Sequence, residues 1–168
     1  FVTHPISATL LAMTVVLAGF GRDFPAPRIG QFHALLLTVV LGLFLMASAT
    51  DLLMIYLAIE LVSVPSYVLA GFRRNDRRAS EAALKYVVFG GVASGVMLFG
   101  MSYLFGLTGT TAIGEIGPRL AVLQTQLGLP QAAVRFTLVV SIVFVLAGVG
   151  YKISAVPWHM WCPDVYEG

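Results

Sequence analysis

Long apolar runs alternate with short polar stretches along this chain. Five runs stand out: about Pro5 to Phe20, Gln31 to Ala49, Leu52 to Phe72, Ser80 to Leu107 and Gln131 to Tyr151, the last with a proline-interrupted extension to Trp161. Each is near the roughly 20 residues that a helix needs to cross hydrocarbon. The polar residues cluster between the runs and form no face along each one. That layout predicts an all-α, polytopic membrane helical bundle, read as one transmembrane domain over residues 1–168. Pro25 and Pro27 exclude helix from the first break, Gly21 to Arg28. Thr50 and Asp51 form a very short turn, and Arg73 to Arg78 a charged loop. In the long break after Thr108, residues 113–127 carry Ile116, Leu120, Leu123 and Leu127 at helical spacing, which predicts a short amphipathic helix lying along the membrane surface.

Composition sharpens this picture. The 168 residues are 58% hydrophobic and 11% charged, against about 25% charged in a soluble domain. No basic stripe interleaved with aromatics suggests nucleic acid, and the single cysteine, Cys162, rules out an internal disulfide framework or a cysteine metal cluster. The first run lacks the basic flank and small-residue cleavage site of a signal peptide. The ends at Phe1 and Gly168 read as cuts inside a larger subunit. Arg73, Arg74, Arg77 and Arg78 place their loop on the cytoplasmic side, together with Arg22 and Arg28 two helices earlier. The Thr50-Asp51 turn and the Thr108 to Pro130 segment then face the opposite side.

Ionisable residues inside the runs carry the candidate chemistry. Glu60 has eight uncharged residues before it, back to Asp51, and twelve after it, up to Arg73. It falls near the bilayer middle, where a bare carboxylate costs several kcal/mol, so it must be protonated, paired or hydrated. Two readings follow: a proton-exchanging acid, or a hydrogen-bonded tie between helices. Pro65 removes a backbone donor and frees the Leu61 carbonyl, which Ser63 and Ser66 are placed to satisfy.

Lys152 follows a charge-free run from Phe136 to Tyr151. By counting alone it snorkels from a helix end. Gly148, Gly150 and Pro157 argue instead for a helix broken inside the membrane near Lys152 to Pro157, with Pro157 freeing the Ile153 carbonyl. Burial there would lower a lysine pKa and suit it to carry a proton. Lys85 is either a snorkelling partner of Glu81, four residues earlier, or a member of the same interior polar path as Glu60. His159 is either a polar member of an interfacial belt with Trp158 and Trp161 or a proton relay. Gly91 and Gly95 form a small-xxx-small pair that predicts close helix packing. No residue grouping suggests a metal site.

The string Tyr151-Lys152-Ile153-Ser154-Ala155-Val156-Pro157-Trp158-His159-Met160-Trp161-Cys162-Pro163-Asp164-Val165-Tyr166-Glu167-Gly168 closely resembles the broken-helix signature of the subunit N family of proton-pumping NADH-quinone oxidoreductase, respiratory complex I. Leu57 to Ala70 looks like the same family's glutamate helix, and Ser80 to Tyr86 like the start of its next helix. Cys162 departs mildly, standing where a threonine or small residue is expected. The resemblance implies a large antiporter-like subunit of inverted five-helix repeats, of which this chain covers most of the first. It implies proton translocation through Glu60, Lys152 and Lys85, with no redox chemistry and no cofactor in this chain. NADH, FMN, iron–sulfur clusters and quinone would belong to partner subunits. The implied partners are the other membrane subunits and the bilayer, and the implied location is the bacterial inner membrane. Two rivals stay open: a subunit of a multi-subunit cation/proton antiporter, and a structural membrane scaffold. A quinone-site redox enzyme finds no haem-ligand pair, flavin fingerprint or cysteine cluster.

Overall fold

The computed structural model describes residues 11–17, 19, 26–73, 75–126 and 131–167. They form α1 (residues 11–17), α2 (Ala26–Ser48), α3 (Leu52–Ala70), α4 (Arg77–Thr108), α5 (Ile113–Gln126), α6 (Gln131–Lys152) and α7 (Cys162–Glu167). Half of the first expected run, Arg22, Arg74 and Leu127 lie outside the described residues. The chain is an all-α, multi-pass membrane protein. Among the described residues four helices are long and apolar enough to cross a membrane: Arg28–Ser48, Leu52–Ala70, Arg77–Thr108 and Ala132–Lys152. At 1.5 Å per residue, α4 is about 48 Å long, more than the roughly 30 Å of hydrocarbon.

The sidedness of the helices is inverted relative to a soluble core. In α3 the large apolar residues Leu53, Leu57, Val64 and Val68 point outward, while Ala58, Ser63, Pro65 and Tyr67 are buried. In α6 Phe136, Val139, Val143 and Leu146 are exposed, and Ser141 is fully buried. Lipid is as apolar as leucine, so burying large side chains drives nothing; small residues win the interior because they let backbones approach.

Side-chain caps set two helix starts. The Leu53 N–H donates to Asp51 Oδ1 at 2.8 Å, and the Arg78 N–H to Asp76 Oδ1 at 2.9 Å. Each aspartate satisfies an N–H that the helix leaves without an intrahelical acceptor. The Asp76 cap starts α4 at Arg77, inside the expected charged loop and ahead of Ser80. The expectation that Pro27 excludes helix is corrected: α2 begins at Ala26 and includes it. In a first turn a proline lacks only an N–H that has no intrahelical acceptor anyway.

The chain divides into two compact units. The first holds α2 and Met54–Leu84. There α2 and α3 meet at Gly42, where a Cβ would lie 2.7 Å from Val62 Cγ2 and 3.1 Å from the Ala58 carbonyl oxygen. Phe32 and Phe72 meet edge to face at 5.9 Å.

The second unit holds Thr50–Leu53 and Lys85–Tyr166. Its α4 and α6 run antiparallel in close contact. A Cβ on Gly100 would meet the Ser141 carbonyl oxygen at 2.7 Å, and one on Gly148 would collide with the Met97 side chain. Met97 and Ser141 are fully buried between these helices. The expected Gly91/Gly95 packing is corrected, because nothing within 4 Å would meet a Cβ at either position. At 100° per residue, Ala93, Met97 and Gly100 share the face turned to α6, and Gly91 and Gly95 lie off it.

At one end of this unit the Thr50-Asp51 turn is tied to the loop before α5. The Leu52 N–H donates to the Thr111 carbonyl at 2.9 Å and the Ile113 N–H to the Thr50 carbonyl at 3.1 Å. The Thr111 hydroxyl donates to the Asp51 carboxylate. Arg119 of α5 reaches back to the Thr108 and Gly109 carbonyls at 3.3 and 3.4 Å and pairs with Glu115 at 2.7 Å. A guanidinium here complements the negative end of α4. The spacing residues Ile116, Leu120 and Leu123 are half-buried on α5.

Candidate functional site

The break after α6 is the most distinctive local feature of the second unit. The Ala155 N–H donates to the Gly150 carbonyl at 2.8 Å and the Ser154 N–H to the Tyr151 carbonyl at 3.1 Å. With Ser154 at φ 57°, these are the paired 6→1 and 5→2 bonds of a Schellman cap. Lys152 is therefore the last residue of α6. The expected account of the break is corrected here: Pro157 does not free the Ile153 carbonyl by interrupting a helix. The helix has already ended by its own cap, and Pro157 lies beyond, exposed, in the turn that follows. A non-glycine residue in the left-handed region costs roughly 1–2 kcal/mol, so surrounding contacts must hold Ser154 there.

Those contacts are aromatic and polar. Trp161 is buried, stacks on Tyr86 of α4 at 4.5 Å and 10°, and lies 5.3 Å from the Tyr151 ring. Its indole N–H donates to the Tyr151 carbonyl at 3.2 Å, the same oxygen that accepts from Ser154. The Trp158 ring covers Gly150, where a Cβ would sit 2.8 Å from Cε3. The Cys162 thiol donates to Ser154 Oγ at 2.9 Å. Trp161 thus packs inside the protein and fastens the segment after the break to α4 and α6. Beside it, Phe89, Val92, Ala147, Tyr151, Trp158 and Met160 line most of an apolar cavity of about 210 Å³.

Charged groups follow the same geometry. Lys152 is half-buried at the end of α6, where the carbonyl end of the helix dipole favours a cation. Lys85 Nζ lies 2.9 Å from Asp164 Oδ2 in α7, with the two side chains 40% and 47% exposed. In water such a pair is worth at most about 1 kcal/mol; against hydrocarbon, the alternative to pairing is a bare charge. Periodicity paired Lys85 with Glu81 or with an interior path. It offered no route to Asp164, 79 residues away and beyond the break. His159 is exposed in the turn, where its carbonyl accepts the Cys162 N–H at 3.0 Å.

Glu60 and Pro65 belong to the first unit. Glu60 is half-buried in the middle of α3, one turn after Tyr56. Pro65 is buried, and α3 continues through it to Ala70. The expected serine partners differ in detail. Ser63 Oγ donates to the Ile59 carbonyl and Ser66 Oγ to the Val62 carbonyl, each at 2.7 Å. Both are ordinary four-residue back-bonds flanking the Leu61 carbonyl, because a hydroxyl reaches the turn before its own residue. Among the described residues, no three His, Cys, Asp or Glu side chains gather around a possible metal position.

Comparison with known proteins agrees with this architecture. A family model described as NADH:quinone oxidoreductase/Mrp antiporter, transmembrane, matches residues 49–168. The NADH-quinone oxidoreductase subunit N of Anaeromyxobacter sp. (strain Fw109-5) is 68% identical over 157 residues, covering 94% of this chain and 30% of that protein. Subunit N 2 of Sorangium cellulosum (strain So ce56) is 55% identical over 139 residues, covering 83% of this chain and 27% of that one. The chain thus spans about a third or less of these curated relatives. Respiratory complex I from Thermus thermophilus contains a chain with a TM-score of 0.72 and 29% identity, covering 97% of this chain and 34% of that one. A chain of an archaeal membrane-bound sulfane sulfur reductase shares the fold at a TM-score of 0.76, with 22% identity, over 94% of this chain and 30% of its own length.

Proposed function

The chain belongs to the NADH:quinone oxidoreductase/Mrp antiporter transmembrane family, and from that footing we propose that it forms a proton-translocating element of an antiporter-like subunit of NADH-quinone oxidoreductase. In this reading the subunit carries no redox chemistry. NADH oxidation and quinone reduction take place in partner subunits, which hold the NADH, FMN, iron–sulfur clusters and quinone. The subunit sits in the bacterial plasma membrane among other membrane subunits, and this chain forms most of its first five-helix repeat.

Glu60, Lys152 and Lys85 are the proton-transfer groups, and His159 is a possible relay toward one surface. The observation that carries the reading is Lys152, half-buried at the capped end of α6, with an irregular, largely apolar stretch following it to Trp161. An ammonium there is favoured by the helix carbonyls, and the unwound backbone of a broken helix is where ion and proton sites form in membrane transporters. Glu60 is the intramembrane carboxyl of the same reading.

The test uses the complete subunit in its assembled complex. Glu60→Gln and Lys152→Met are each expected to reduce NADH-driven proton pumping to near background while the complex still assembles. Normal pumping in either variant overturns the reading, and loss of assembly in step with pumping favours a scaffold. The family description also spans the Mrp antiporter. Cation-dependent proton exchange by the complex with NADH absent would favour that alternative.

A further inference from the structure

The segment after the break is fastened to α4 at two adjacent positions. Tyr86 carries the Trp161 stack at 4.5 Å, and its neighbour Lys85 carries the ion pair to Asp164 at 2.9 Å. Asp164 stands three residues after Trp161, so the two contacts form one patch. The aromatic half is doubly held, because the Trp161 indole also donates to the Tyr151 carbonyl of α6. The ionic half holds what lies further along. The α7 helix has six residues and buries none of them. Residues 153–161 form turns, not regular helix, so they transmit little rigidity from α6 to α7. The Lys85–Asp164 pair is a contact of α7 with α4 whose strength depends on charge.

Resting on the reading of Lys85 as a proton-transfer group, we propose that Asp164 is its positioning residue, and that their ion pair couples the charge on Lys85 to the seating of α7 beyond the helix break. An ammonium facing a carboxylate makes a hydrogen bond roughly twice as strong as a neutral one. When the Nζ–H bond breaks and the proton forms a new O–H bond on an adjacent water, the nitrogen keeps the electron pair and becomes a neutral amine. The charge-assisted contact is then lost, and the segment keeps only its uncharged contacts: the Trp161 stack and indole bond, the Trp158 ring over Gly150 and the Cys162 bond to Ser154. Asp164, left without its cation, favours recapture of a proton by Lys85. The pair therefore keeps Lys85 loaded in the seated state and ties its unloading to release of α7.

Cys162 reports the seating, since its thiol is half-buried and donates to Ser154 Oγ at 2.9 Å. The experiment measures Cys162 alkylation by a maleimide, read by mass spectrometry, and protons pumped per NADH oxidised, both in vesicles of the assembled complex. Asp164→Asn and Lys85→Gln are each expected to speed alkylation by about fivefold, and the double variant no further. Asp164→Glu is expected to stay close to the parent in both measurements. Asp164→Asn is also expected to lower the proton-to-NADH ratio while NADH oxidation continues, which a purely structural tie would not do. Unchanged alkylation in Asp164→Asn, or effects that multiply in the double variant, overturns the proposal. Normal pumping in Lys85→Gln with the expected alkylation pattern sinks the proton-transfer reading and with it the coupling. Lost pumping in Lys85→Gln with unchanged alkylation keeps that reading and sinks the pair.

Discussion

Two helices of the second unit end in the left-handed region, and they do so in different ways. The α4 helix ends through Gly109 at φ 64°, with its N–H donating to the Phe105 carbonyl at 2.7 Å. The α6 helix ends through Ser154 at φ 57°. At Gly109 the conformation is free of Cβ penalty and lies in a polar loop, where Arg119 covers the last carbonyls. At Ser154 the conformation is strained, and Trp161, Trp158 and Cys162 hold it. The first end leads into a polar loop. The second leads, just past Lys152, into a largely apolar stretch whose strained turn is maintained by packing.

Breaking the packing should have the largest effect. Trp161→Ala removes the stack on Tyr86 and the bond to the Tyr151 carbonyl. By analogy with other buried aromatics it should cost about 3–5 kcal/mol, seen as a lower unfolding temperature or loss of the complete subunit from detergent extracts. Gly109→Val puts a β-branched side chain where φ is positive, and is expected to cost about 2 kcal/mol or more in the same assay. Arg119→Ala uncovers the end of α4 at an exposed position, and about 1 kcal/mol is expected.

The sharpest comparison is the smallest. Ser154→Gly relieves about 1 kcal/mol of left-handed strain but removes the acceptor of the Cys162 thiol. The net change in stability is expected to be within about 1 kcal/mol, opposite in sign to Gly109→Ala or near zero. A large destabilisation by Ser154→Gly would show that the thiol contact, not the cap, holds the break.

The same contrast explains what was legible beforehand. The end of α4 lies within a residue of the expected Leu107, because the apolar run gives way there to the polar Thr108-Gly109-Thr110-Thr111. The break after α6 was expected from Pro157, yet the residue that adopts the left-handed conformation is Ser154. Sequence patterns favour glycine there, and no local rule singles out a serine held by a tryptophan seven residues on. Asp51 was read as part of a turn. Its capping of α3 is local, but its bond to Thr111 depends on a loop 60 residues away. Asp164 lies in the stretch after the break, and no local pattern pairs it with a lysine 79 residues earlier.

What the sequence determined by itself was everything that solvation decides. Runs of about 20 apolar residues cannot remain in water and cannot enter lipid except as helices. Glu60, Lys85 and Lys152 stand out in such runs because charge there needs a reason. Tertiary structure alone decided which glycines face a neighbour, that Gly100 and Gly148 do so where Gly91 and Gly95 do not, and which charge meets which. Those outcomes depend on helix rotation and on the direction of the chain after a break. Lipid and protein interior are alike to an apolar side chain, so hydrophobicity cannot encode them; only close packing of small residues and a few directional hydrogen bonds can.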